Sequence, residues 1–95
     1  VIPLTLADVA AIVHGRLHNA TGTEVVTGAV EFDSRKLAPG DLFVAVPGER
    51  VDGHDFAAAA VRAGAVAVLA GRPVPAPAVI VPPVEHHGSR AHALA

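Results

Sequence analysis

Two short segments of this 95-residue chain carry side chains that could do chemistry. The first is Asp33-Ser34-Arg35-Lys36. Ser34 brings a hydroxyl that can donate to a phosphate oxygen, and Arg35 brings a guanidinium fork suited to the same partner. Asp33 cannot meet an anion favourably; it can orient Arg35 or accept from a ribose hydroxyl. The second segment is Gly48-Glu49-Arg50-Val51-Asp52-Gly53-His54-Asp55-Phe56. Its two glycines let the backbone come close to a ligand. It leads into a predicted helix, whose free N-terminal N–H groups favour anions. Asp52 and Asp55 can also fill that cap themselves. Taken singly, each segment reads better as an ordinary polar loop. Asp33 and Ser34 would then satisfy local backbone groups, and His54 would be a surface or half-buried histidine.

Other chemistry is thin. His86, His87 and His92 cluster near the C-terminus, but Glu85 is the only acidic residue near them and the chain has no cysteine. They read as a solvated tail, and no metal site is expected. Lys36 is the only lysine and Leu37 follows it, so the GxxxxGK[ST] loop that cradles ATP phosphates is not in this sequence. No nucleophile–base pair is legible, and no catalytic residue is assigned.

The elements that must position these segments follow from patterning. A helix is expected from about Thr5 to His14, with Thr5 as N-cap, Asp8 in the first turn, and Leu6, Val9, Ala10 and Val13 on one face. Gly15 is the expected residue past its C-terminus. Arg16–Ala20 suggests a short strand and Thr21–Thr27 a loop. Gly28–Phe32 is a strand candidate that delivers Asp33-Ser34-Arg35 at its carboxyl end, the usual ligand position in open α/β sheets. Pro39-Gly40-Asp41 is a turn. Asp41–Val46 is the clearest strand, and its continuous apolar run predicts burial on both faces. Pro47–Gly53 is a loop. A second helix runs from His54 or Asp55 to about Ala63, packing through Phe56, Ala59, Ala60 and Ala63. Strands follow at Ala65–Leu69 and Ala78–Val81. The result is one α/β domain with a small, partly parallel, mixed sheet flanked by helices. Residues 82–95 read as a tail or linker remnant.

Composition narrows the function classes. The chain is 52% hydrophobic with a formal net charge of −2. Disorder needs the opposite balance, and no basic stripe suggests nucleic acid. The longest apolar runs, Ala57–Val61 and Ala65–Ala70, fall far short of the ~20 residues that span a bilayer. The N-terminus does not read as a signal peptide. With no cysteine, a cytoplasmic location is expected.

In order, the two segments are far more specific than apart. The run DSRKLAPGDLFVAVPGERVDGHDFAAAAVRAGAVAVL, Asp33 to Leu69, resembles the N-terminal domain of the Mur ligases, which add amino acids to UDP-N-acetylmuramic acid. The resemblance extends from about Leu4 to Val81. GER followed by DGHDF is nearer to the branch that joins D-alanyl-D-alanine to UDP-N-acetylmuramoyl-tripeptide than to the branch that adds the third residue. The Arg- and Ala-rich character looks actinobacterial.

The resemblance implies a cytoplasmic binding domain, residues 1–81, of an ATP-dependent peptidoglycan-precursor ligase. Its partner would be the UDP end of a UDP-N-acetylmuramoyl-peptide. Ser34 and Arg35 would lie by the diphosphate and ribose. Gly48, Glu49, Arg50, Asp52, Gly53 and His54 would help enclose the uracil or ribose. ATP and Mg²⁺ would belong to a central domain, and the incoming amine to a C-terminal domain, both absent from this chain. This domain alone would then be inactive as a ligase. A reading from a different class is a stand-alone binding module that kept the fold without catalysis.

Overall fold

A computed structural model describes residues 3–46 and 52–81. The fold is α/β, as the patterning predicts. Strand β1 (Leu4–Thr5) leads directly into helix α1 (Leu6–Val13). The helix starts there because Thr5 and Asp8 close a capping box. The Asp8 N–H donates to Thr5 Oγ1 at 3.1 Å, and the Thr5 N–H donates to Asp8 Oδ2 at 3.3 Å. At its other end His14, not the expected Gly15, takes the left-handed cap conformation with φ 57°. Gly15 has a different reason to be there. A Cβ at that position would lie 2.6 Å from Val79 Cγ1 and 2.8 Å from the Ile80 carbonyl oxygen.

Strand β2 (Arg16–His18) matches its expected place. The expected loop 21–27 contains a further two-residue strand, β3 (Val25–Val26), antiparallel to β1. Two residues are too few to show an alternating pattern. Then come β4 (Val30–Glu31), β5 (Leu42–Val44), helix α2 (Ala57–Arg62), β6 (Ala67–Ala70) and β7 (Ala78–Ile80). The main sheet has the order β2-β7-β6-β5-β4. β4 to β7 run parallel and β2 is antiparallel on the β7 edge. The sheet is therefore mixed and mostly parallel.

Both faces of the sheet are covered, which explains the unbroken apolar runs. Leu42, Ala67 and Val79 point to the α1 side, where Leu6, Val9 and Val26 meet them. Their neighbours Phe43, Val68, Ala78 and Ile80 point to the α2 side, against Ala57 and Ala60. Phe43 is 1% exposed. Burying such a side chain contributes about 1.5–3 kcal/mol. The packed face of α2 differs from the expected one: Ala57 and Ala60 are buried, whereas Phe56, Ala59 and Ala63 are exposed. The shift arises because residues Gly53–Phe56 form a 3-10 turn before the α-helix begins, which rotates the face. Among the described residues, no helix is long and apolar enough to cross a membrane.

Candidate functional site

The parallel strands β4, β5 and β6 end on the same edge of the sheet, and each is followed by a loop bearing charge. The pairing register aligns Glu31 with Phe43 and Val44 with Leu69. Asp33-Ser34-Arg35 follows β4. The segment through Asp52, Gly53 and His54 follows β5. Gly71 and Arg72 follow β6.

After β4, the chain turns into a short 3-10 helix, Ser34–Lys36, capped by Asp33, whose Oδ1 accepts from the Arg35 N–H at 2.9 Å. The same carboxylate holds the Arg35 guanidinium in a two-point contact. Nε donates to Oδ1 at 3.0 Å and Nη2 to Oδ2 at 2.9 Å. Of the two roles open to Asp33, orienting Arg35 is the one seen. The bond from the Arg35 side chain, then that from its N–H, lowers the Asp33 pKa to about 2. Asp33 in turn raises that of Arg35. The Arg35 side chain is 87% exposed. Among the described residues only two of its five donors are engaged. No described residue bonds the Ser34 hydroxyl. A hydroxyl and a positively charged fork thus stand together at a strand end, a pairing that suits a phosphate oxygen.

After β5, Asp52 caps the 3-10 turn and collects three donors. Oδ1 accepts from the His54 N–H at 2.9 Å and from His54 Nδ1 at 2.6 Å; Oδ2 accepts from Arg72 Nη2 at 2.9 Å. These bonds hold Asp52 well below the usual carboxylate range, the His54 N–H first, then the imidazole and Arg72. His54 is buried, and its Nε2 accepts from the Gly71 N–H at 2.9 Å. A backbone N–H can only donate, so Nε2 is unprotonated and Nδ1 carries the proton it gives to Asp52. The contact is a charge-assisted hydrogen bond from a neutral imidazole of defined tautomer to a carboxylate, and not an ion pair. Arg72 also lies 3.7 Å from Asp55.

The structure therefore gathers Asp52, Gly53 and His54 with Gly71 and Arg72 in one network, and Ser34 and Arg35 with Asp33 in another. No hydrogen bond or ion pair joins the two among the described residues. Gly48, Glu49 and Arg50 lie outside the described residues. Arg72 escaped sequence reading; it lies in the loop after β6, and its place after a parallel strand is the one signal that could have pointed to it. Asp41 was read only as the end of a turn and the start of a strand. It is 5% exposed, and its carboxylate accepts from Ala29 N–H at 2.8 Å and Ala38 N–H at 2.9 Å, closing the base of the Ser34–Arg35 loop. A separate groove of about 420 Å³ lies on the α1 side, lined by Val9, Ile12, Val26, Val30, Leu42 and other nonpolar residues. It offers no charged group to a nucleotide.

A mostly parallel sheet with charged loops at its carboxyl edge defines an open α/β domain of the kind that places ligands there. Residues 26–89 match the family model described as "Mur ligase family, catalytic domain". The chain belongs to the Mur ligase family. It is 55% identical over 87 residues to UDP-N-acetylmuramoyl-tripeptide–D-alanyl-D-alanine ligase of Mycobacterium tuberculosis (strain ATCC 25618 / H37Rv), covering 87% of this chain and 17% of that protein. It is 50% identical over 68 residues to UDP-N-acetylmuramoyl-L-alanyl-D-glutamate–2,6-diaminopimelate ligase of Geobacillus thermodenitrificans (strain NG80-2), covering 70% and 14%. Its fold matches MurF from Acinetobacter baumannii with a TM-score of 0.73 at 28% identity, over 85% of this chain and 18% of that one. The chain spans less than a fifth of the length of these relatives. The mycobacterial similarity agrees with the actinobacterial character of the composition.

Proposed function

We propose that this domain, residues 1–81, binds the UDP end of UDP-N-acetylmuramoyl-peptide for an ATP-dependent ligase that adds D-alanyl-D-alanine to a peptidoglycan precursor. One observation carries the reading: the two family segments end adjacent parallel strands, and the first presents Ser34 and an outward Arg35 together. In this reading Ser34 and Arg35 meet the diphosphate and ribose. The segment Gly48, Glu49, Arg50, Asp52, Gly53 and His54 encloses the uracil or ribose. A cytoplasmic location goes with it.

The chain's contribution is positioning. Holding a remote nucleotide handle orients the reacting end of the substrate, and that binding energy can be spent on the transition state. ATP and Mg²⁺ do not fit the residues present. The sequence lacks a phosphate-cradling GxxxxGK[ST] loop, and no three metal-ligating side chains converge among the described residues. The chemistry of amide formation thus belongs to parts of the enzyme outside this chain. The 50% identity to a diaminopimelate-adding ligase favours one second reading, the equivalent domain of that enzyme.

The test is Ser34→Ala with Arg35→Ala in the full-length enzyme. Loss of two phosphate contacts should weaken UDP-substrate binding by roughly tenfold or more. An unchanged KM for the UDP substrate would contradict the assignment. In the chain alone, UDP should shift the amide signals of Ser34 and Arg35 and of residues 48–54.

A further inference from the structure

We infer that His54 and Arg72 are positioning residues, which act together through Asp52 to hold Asp52–His54 against the end of β6 and do not touch the nucleotide. This rests on the reading of the domain as a UDP-binding unit. The His54 side chain is 4% exposed and both its ring nitrogens are taken, one by Asp52 and one by Gly71. It has no polar atom left for a ligand. Asp52 spends its two oxygens on three donors. What these residues do is tie one loop to another. The imidazole reaches from the β5 loop to the backbone at the end of β6, and the guanidinium of Arg72 reaches back the other way.

The tie lands at one root of the segment expected to enclose the nucleotide. The other root is pinned as well: the Gly53 N–H donates to the Val46 carbonyl at 2.9 Å. Fixing loop roots before binding lowers the ordering cost that binding would otherwise carry. Arg72 is flanked by Asp52 and Asp55, so the local charge does not favour an anion on it. Its neighbours make it a fastener and not a phosphate ligand.

The proposal specifies both a tautomer and a coupling. Long-range ¹⁵N NMR of the imidazole in the 95-residue chain should show His54 protonated at Nδ1 and bare at Nε2, with a slowly exchanging Gly71 amide. A ring protonated at Nε2 would overturn it. UDP titrations should then compare wild type with Arg72→Ala, Arg72→Lys, His54→Asn and the Arg72→Ala/His54→Asn double variant. Arg72 is half-exposed, so Arg72→Ala should keep its unfolding midpoint yet bind UDP about three- to tenfold more weakly. Arg72→Lys should recover much of that. The double variant should lose less than the product of the single losses, because both residues act through Asp52. Should His54→Asn fail to fold, the Arg72 pair alone decides the matter. Folded Arg72→Ala with wild-type affinity would overturn the latch while leaving the nucleotide reading intact. A wild-type chain with no response to UDP would overturn the nucleotide reading itself, and the positioning role with it.

Discussion

Asp41 is the residue whose removal the structure prices most directly. It is a carboxylate at 5% exposure, with no ion pair among the described residues. Its partners are two backbone donors, Ala29 N–H and Ala38 N–H, while its own N–H donates to Ala38 and its carbonyl accepts from Val66 N–H. Asp41→Ala removes both side-chain acceptors and leaves two part-buried N–H groups without partners. Each orphaned donor costs about 1–3 kcal/mol, so the total is about 2–6 kcal/mol. A chain of this length has about 5–14 kcal/mol in all. Asp41→Asn keeps one acceptor but turns an NH₂ toward the other donor, so it should fall between Asp41→Ala and wild type. The chain has no Trp or Tyr, so unfolding is best followed by circular dichroism. A fall in Tm of roughly 10 °C or more is expected for Asp41→Ala. The same variant should weaken UDP binding, because Ala29 and Ala38 bracket the Ser34–Arg35 loop. A stability change within about 0.5 kcal/mol, ordinary for a surface substitution, would refute the reasoning.

Two further perturbations test the packing and the charge network. Gly15→Ala should destabilise by about 1–3 kcal/mol, since the new methyl meets Val79 Cγ1 at 2.6 Å and the backbone oxygen of Ile80 at 2.8 Å; an unchanged urea midpoint would contradict that close approach. Acid should loosen both carboxyl-edge networks. The pKa values of Asp33 and Asp52 are lowered in the fold, so their contacts contribute fully above the unfolded carboxylate value of about 4 and fade as pH falls, for Asp33 through about 2. Asp33→Asn and Asp52→Asn should each flatten the fall in stability between about pH 4 and 2, and profiles parallel to wild type would count against the contacts.

What the sequence made legible follows from the strength of each local signal. Helix α1 was readable because Thr5 and Asp8 cap it reciprocally and Leu6, Val9 and Val13 repeat along one face. β5 was readable because Leu42 to Val46 is an unbroken apolar run between turn residues. β1 and β3 were not, since two residues cannot show a period. The packed face of α2 was misread because nearly every position from Ala57 to Ala63 is small and apolar, so spacing alone could not choose one. At the proposed site, Ser34 and Arg35 were candidates by their place after a strand, and only the ordered resemblance set them above an ordinary polar loop. Asp52 and His54 were candidates as part of a motif, but their inward-facing bonds depend on Gly71 and Arg72, which are distant in sequence. The 17-residue separation of His54 and Gly71 is beyond any local pattern.

Strand β5 carries an aspartate staple near each end, and the two differ in what they hold. Asp41, just before the strand, bonds only to backbone and is buried, so it fixes the amino edge where β4, β5 and β6 begin. Asp52, beyond the strand's end, bonds to the His54 N–H, to its buried imidazole and to the half-exposed Arg72 guanidinium, and of these only the guanidinium is free to rotate away. Backbone partners cannot rotate away, so the amino edge has one arrangement. The carboxyl edge is held by side chains, the buried His54 and the half-exposed Arg72. That asymmetry suits the proposed binding at the carboxyl edge. A rigid base keeps the strand ends in register, and the side-chain ties hold the loop roots at the other edge before anything binds. It also sets apart the effects of the two substitutions. Loss of Asp41 should appear first as unfolding, whereas loss of the Arg72–Asp52 tie should appear first as weaker binding in a protein that is still folded.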